Sequence, residues 1–344
     1  MPALEVGPGK STFTYTDSGV PLSHSNVPYI TVFVVHGILF NNLIFKRLQS
    51  IAPPANLRIV AINRRGYRGS TPVSEESAKL LTTGTAEEKL RTSDELCKEI
   101  LYFADAFIQT EGVPPILNDR HGGGIALLGW SAGNSYVTRA IADIANYPPE
   151  MQARLAKYVR ALIMEDPPSL ALGLPLPEET WSYSHLTSLP KDKRDAFNVQ
   201  WLTAYFEHGD LSSRDKSVIE YILPSSSRTP TLYNMTLEER AAMIEPVEDS
   251  ELPFMLGMFP SALAAYRKAC FDRGVRALLP EMKVWHLGCG AAPSYGIAAY
   301  FDLLVDHETH GGGLINFKMI PGANHFLHWD DPEKTLQVIV DMVQ

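Results

Sequence analysis

Short uninterrupted apolar runs alternate along the first half of the chain with stretches whose apolar residues recur every three or four positions. Residues 29–35 (YITVFVV), 58–62 (RIVAI), 125–130 (IALLGW) and 160–165 (RALIME) are runs of the first kind, and 283–288 (KVWHLG) and 315–320 (INFKMI) add two more near the C-terminus. Runs without polar alternation suit strands covered on both faces, so they predict a mostly parallel sheet. Between them the spacing predicts helices. Over 93–110, Leu96, Ile100, Phe103 and Phe107 form one stripe, with a capping hydroxyl at Ser93. Over 132–146, Val137, Ala140, Ile141 and Ile144 form another. Strand–helix alternation of this kind predicts a doubly wound α/β domain. It stops between about 170 and 275, where helix-like stretches such as 191–208 and 236–244 occur without a clear strand. Prolines at Pro167-Pro168 and Pro280 bracket that segment. The expected organisation is a core of residues 1–168 and 276–344, with 169–275 as a helical cap over one end of the sheet.

Composition narrows the partners. The net charge of −9, with no dense Lys/Arg cluster, argues against general affinity for nucleic acid or anionic membranes. No apolar stretch approaches the ~20 residues of a membrane span. Cys97, Cys270 and Cys289 are odd in number and far apart, so no disulfide framework is expected. The first residues lack a basic region followed by an apolar run, and a reducing, cytoplasmic location is the expectation. No cofactor and no metal are called for, and a homodimer is left open.

The chemistry centres on Gly129-Trp130-Ser131-Ala132-Gly133, which follows one apolar run and opens a helical stretch. A G-x-S-x-G pentapeptide in that setting presents its serine on a strained turn, with the helix N-terminus favouring developing negative charge. Ser131 is therefore the candidate nucleophile. It needs a base, and His325 in Pro-Gly-Ala-Asn-His-Phe lies just after the last predicted strand, at the carboxyl edge where such sheets meet ligands. His328 is worse placed, and His286 sits within a strand as a core residue. An oxyanion hole needs two backbone N–H donors. Ala132, directly after the nucleophile, and Ile38, after His36-Gly37, are expected to supply them. Two His-Gly-Gly-Gly runs, 121–124 and 310–313, precede strands and are read as turns. Trp181, Tyr183, Phe254 and Phe259 in the insertion, with Gly37 and Trp130 from the core, are the candidates to line an apolar substrate pocket.

The order HG, N-R-R-G-Y-R-G-S-T, G-W-S-A-G and a late G-A-N-H-F resembles the α/β-hydrolase superfamily, in a form with a helical cap, over residues 12–344. Asn63 stands where many relatives carry Asp, a position that is usually structural. The resemblance implies a third triad member, an acid, most often after the penultimate strand. Here that strand is followed by Cys289-Gly-Ala-Ala-Pro-Ser-Tyr, without a carboxylate. An arrangement similar to that of some haloalkane dehalogenases puts the acid after the 160–165 strand, which favours Asp166. Glu165, Asp302 and Asp306 stay open. The expected activity is hydrolysis of a largely apolar carboxylic ester or lactone through Ser131, His325 and Asp166. Dehalogenase and epoxide hydrolase chemistry needs a carboxylate where Ser131 stands. A lyase or acyltransferase on the same triad, or a ligand receptor with little turnover, is the alternative.

Overall fold

In a computed structural model, the structure describes residues 1–22, 27–180, 188–245 and 251–344, without the side chains of 251–256. Eight strands form one sheet in the order β1-β2-β4-β3-β5-β6-β7-β8. The six apolar runs are β3 (Ile30–Val35), β4 (Leu57–Ile62), β5 (Ile125–Trp130), β6 (Val159–Glu165), β7 (Lys283–Cys289) and β8 (Asn316–Ile320). They are mutually parallel, and β3 to β6 are buried along their whole length. The expected α/β class and parallel sheet are thus observed. The sequence reading did not find β1 (Ala3–Val6) and β2 (Ser11–Asp17), which add antiparallel at one edge. β1 is only four residues long at the open edge, and the Ser- and Thr-containing β2 beside it is only partly covered, so neither carries a continuous apolar run.

The helices are α1 (Lys46–Ile51), α2 (Glu75–Thr83), α3 (Ala86–Glu111), α4 (Gly133–Ala142) and α5 (Pro149–Leu155) before or beside β6, and α6 (Lys191–Leu202), α7 (Leu237–Met243), α8 (Glu251–Phe271) and α9 (Arg273–Leu278) between β6 and β7. After β7 come α10 (Ser294–Thr309), α11 (Leu327–Asp330) and α12 (Pro332–Val343). They cover both faces of the sheet. Phe33 and Val35 of β3 pack with α3 and α4, whereas Val32 and Val34 pack with residues of α1 and α12. Phe33 meets Phe103 and Phe107 of α3 edge-on, with centroids 5.9 and 5.3 Å apart. Each such ring contributes about 1.5–3 kcal/mol by leaving water.

The start of α3 differs from expectation. The helix begins at Ala86, and its capping box joins Thr85 to Glu88. Ser93 lies inside it and donates back to the Lys89 carbonyl at 2.7 Å. The polar first turns mask this extension in an apolar pattern. Among the described residues, the segment between β6 and β7 holds helices, short turns and no strand. It reaches across to the core where Phe40 bridges Ile244 and the Asn41 amide donates to the Ala242 carbonyl at 2.8 Å.

Candidate active site

Ser131 follows the last residue of β5 with φ +54°, in the left-handed region that a non-glycine residue rarely adopts. The flanking glycines make that turn feasible. A Cβ at Gly133 would lie 2.1 Å from the Val35 carbonyl oxygen, and one at Gly129 would lie 2.7 Å from the Asn134 Cα. The turn is also pinned: the Ser131 N–H donates to the Glu165 carbonyl at 3.0 Å, and the Asn134 amide donates to the carbonyls of Ser131 and Glu165 at 2.8 and 3.0 Å.

His325 stands on the loop after β8, 2 % exposed. The Trp130 indole donates to its carbonyl at 2.8 Å, and Asn324 ties the loop to Thr203 and Thr231. Its ring Nδ1 lies 2.5 Å from Asp166 Oδ2. Asp166, fully buried, follows β6 with φ +41° and accepts from the Cys289 N–H through Oδ1 at 3.2 Å. Hydrogen bonding of Nδ1–H to the carboxylate leaves Nε2 as the basic nitrogen. The competing carboxylates are engaged elsewhere. Glu165 meets His328 Nδ1 at 2.9 Å, Asp302 meets Lys216 at 2.6 Å, and Asp306 meets Arg267 at 2.9 Å.

Ser131 and His325 line one cavity of about 170 Å³, together with Ile38, Ala132, Trp130 and Phe259. Among the described residues, no hydrogen bond joins the Ser131 hydroxyl to the His325 ring. Such contacts are often long before substrate binds and tighten in the complex. Nor do the backbone N–H groups of Ile38 and Ala132 have a partner among the described residues. An orphaned N–H in so enclosed a place is rare, and two beside one hydroxyl can receive a developing oxyanion.

The loop that carries Ile38 is held from beneath by Arg64, which is 2 % exposed. Its guanidinium donates to the carbonyls of His36 at 3.1 Å and Gly37 at 2.7 Å, and to the hydroxyls of Tyr136 and Tyr67. The Arg64 N–H donates to His36 Nε2 at 3.1 Å. Burial, with the Arg64 cation adding to it, pushes the His36 pKa well below the ordinary histidine range, so this ring stays neutral. Asn63, fully buried, accepts from the Asn42 N–H at 2.9 Å and donates to Thr14 and Arg68, a bracing role at the end of β4.

Trp181 and Tyr183 lie outside the described residues, as does the side chain of Phe254. The runs 121–124 and 310–313 lead into the amino-terminal ends of β5 and β8, at the edge opposite the cavity. The sequence reading did not find Arg64, Asn198 or Tyr295 as parts of the site. Arg64 had a signal in its motif, whereas Asn198 had none.

A sequence model described as the Alpha/beta hydrolase family matches residues 32–338. The chain belongs to this family. No curated protein sequence matches it. Solved structures similar to this α/β hydrolase include a thermophilic esterase from Thermogutta terrifontis, with TM-score 0.52 and 14 % identity over 99 % of this chain and 97 % of that one. A bromoperoxidase from Bacillus anthracis gives TM-score 0.55 and 13 % identity over 99 % of both chains. An epoxide hydrolase from Solanum tuberosum gives TM-score 0.56 and 12 % identity over 100 % of this chain and 99 % of that one. At such identities the likeness is one of fold. Among the described residues, no helix is long and apolar enough to cross a membrane.

Proposed function

We propose that this hydrolase cleaves carboxylic esters or lactones with a largely apolar acyl or alcohol part, through a Ser131–His325–Asp166 triad. The observation that carries the reading is the pair of unpartnered N–H groups, at Ile38 and Ala132, in the same cavity as Ser131 and His325. In the first half-reaction Ser131 Oγ attacks the carbonyl carbon and its proton passes to His325 Nε2. The resulting oxyanion is held by the two amides. The bond to the leaving oxygen then breaks, that oxygen takes the proton from His325, and the acyl group remains on Ser131. Water enters, gives a proton to His325 and attacks the same carbon. The acid leaves and Ser131 recovers its proton. Asp166 fixes the ring orientation and stabilises the imidazolium throughout.

Epoxide hydrolase chemistry on this fold calls for a carboxylate nucleophile, and the turn after β5 carries a hydroxyl. The 169–275 segment acts in this reading as a cap that sets substrate choice, since Leu170, Leu176, Trp201, Leu202 and Phe259 supply cavity wall. The reading is tested with Ser131→Ala and a fluorophosphonate probe. Labelling of the native protein at Ser131, with ester turnover lower by several orders of magnitude in the folded variant, is the expected result, because the triad acts as a unit. Near-native turnover in Ser131→Ala overturns it.

A further inference from the structure

Beyond Ser131 and His325, the polar side chains lining the cavity are Thr180, Asn198 and Tyr295; the remaining wall is apolar, and no charged side chain lines it among the described residues. Asn198 sits on α6 one turn before Trp201 and Leu202, so the three share a face, and all line the cavity. It is 3 % exposed. Its amide makes no hydrogen bond to any described residue, although a carboxamide offers two donors and an acceptor oxygen. Those groups open onto the cavity, where a ligand can meet them. Tyr295, near the start of α10, lines the same cavity, its ring centroid 6.0 Å from that of Trp201 and 6.3 Å from that of His325. Its hydroxyl likewise has no partner among the described residues. Two polar groups without a protein partner among the described residues thus line one otherwise apolar cavity.

We infer that Asn198 and Tyr295 form a polar subsite for a neutral hydroxyl or carbonyl group that the substrate carries away from its scissile bond. The inference rests on the ester-hydrolase reading of Ser131 and names the substrate class within it: an apolar ester or lactone bearing a second oxygen function. The group must be neutral. A carboxylate or ammonium would be desolvated here with no counter-charge among the described wall residues. Burial, with the Asp166 charge adding to it, holds the Tyr295 phenol well above its ordinary range, so it remains an uncharged donor. A substrate hydroxyl can accept from Tyr295 or the Asn198 NH₂ while donating to the Asn198 oxygen. A carbonyl accepts from either. A site that hydrogen-bonds a substrate oxygen disfavours the analogue lacking it, because the site's own polar groups are then left unpaired.

The experiment compares kcat/KM for p-nitrophenyl hexanoate with that for the positional series of its monohydroxy and monoketo analogues. In the native enzyme, one position is expected to be favoured about tenfold or more, the worth of one net hydrogen bond near 1.4 kcal/mol. Asn198→Leu and Tyr295→Phe are each expected to bring that ratio close to one. Both substrates meet the same folded fraction, so the ratio is insensitive to loss of folded protein. A native ratio near one at every position, or a ratio unchanged in both variants, overturns the subsite. The contrast is also read without turnover, by calorimetric binding of the matching hydroxyhexanamides against hexanamide. Absence of all ester turnover in the native protein therefore overturns the esterase reading alone, while equal binding of both amides overturns the subsite.

Discussion

Gly37 and Ser131 pack so closely that a Cβ on residue 37 would stand 2.7 Å from the Ser131 Cβ and 3.1 Å from its Oγ. Ser131 therefore lies against the backbone of the loop that carries the Ile38 N–H. Gly37→Ala must move one or the other. The expected outcome is a fall in kcat of roughly 10²–10³, the scale of losing one oxyanion donor, with a melting temperature changed by only a few degrees. Steady-state kinetics with thermal unfolding of the same sample checks it. Unchanged kcat would mean that the loop does not position the donor.

Asp166 and Asp302 make a second contrast. With its carboxylate 2.5 Å from the His325 ring, Asp166→Asn is expected to lower kcat by roughly 10³–10⁴, as the same change does in a triad protease. Asp302, paired with Lys216, is expected to change it less than twofold on conversion to Asn. Parallel kinetics on one aryl ester decides between them, and the opposite ranking would remove Asp166 from the proposed triad.

Stability should fall in mild acid. His286 is fully buried on β7, between Tyr300 and Phe317, and burial pulls its pKa down to about 3. In the unfolded chain its pKa is about 6.5. Below that value the unfolded state binds a proton that the folded state refuses, so stability drops as pH falls from about 6.5 towards 3. Between pH 6.5 and 5 this one ring removes roughly 1.5 kcal/mol. Relative to the native chain, His286→Phe is expected to gain that amount over the same interval, measured by urea unfolding at both pH values. A pH-independent difference between the two would show that the ring is not the source.

Phe259 lines the cavity from α8 and is nearly buried. Phe259→Ala enlarges the cavity, and the ratio of kcat/KM for bulky over short acyl esters is expected to rise severalfold. A uniform loss across the series would instead indicate a purely structural role.

Much of this was legible in the sequence where one physical demand dominates. Strands covered on both faces must be apolar throughout, so β3 to β6 stand out. A serine on a strained turn needs small neighbours, here Gly129 and Gly133, so the turn at Ser131 stands out as well. Asp166 was harder to choose, because Glu165 beside it is equally buried at the end of β6; only the three-dimensional pairing separates the two, one with His325 and the other with His328. β1 and β2 escaped notice because edge strands carry weaker patterns, and the first turns of α3 because they are polar. Asn198 left no trace, since an unpartnered amide differs from a solvated one only in what surrounds it.

Ser131 and Asp166, at the ends of neighbouring strands, both adopt backbone angles that a glycine would hold without strain. Each such residue destabilises the fold by about 1–3 kcal/mol, a sizeable share of the 5–15 kcal/mol that keeps a typical domain folded. Selection for stability alone would pull both positions towards glycine, and in the proposed triad selection for turnover opposes it. In a sibling sequence, glycine at position 131 or 166 would therefore record a lineage that had given up its chemistry and kept its architecture.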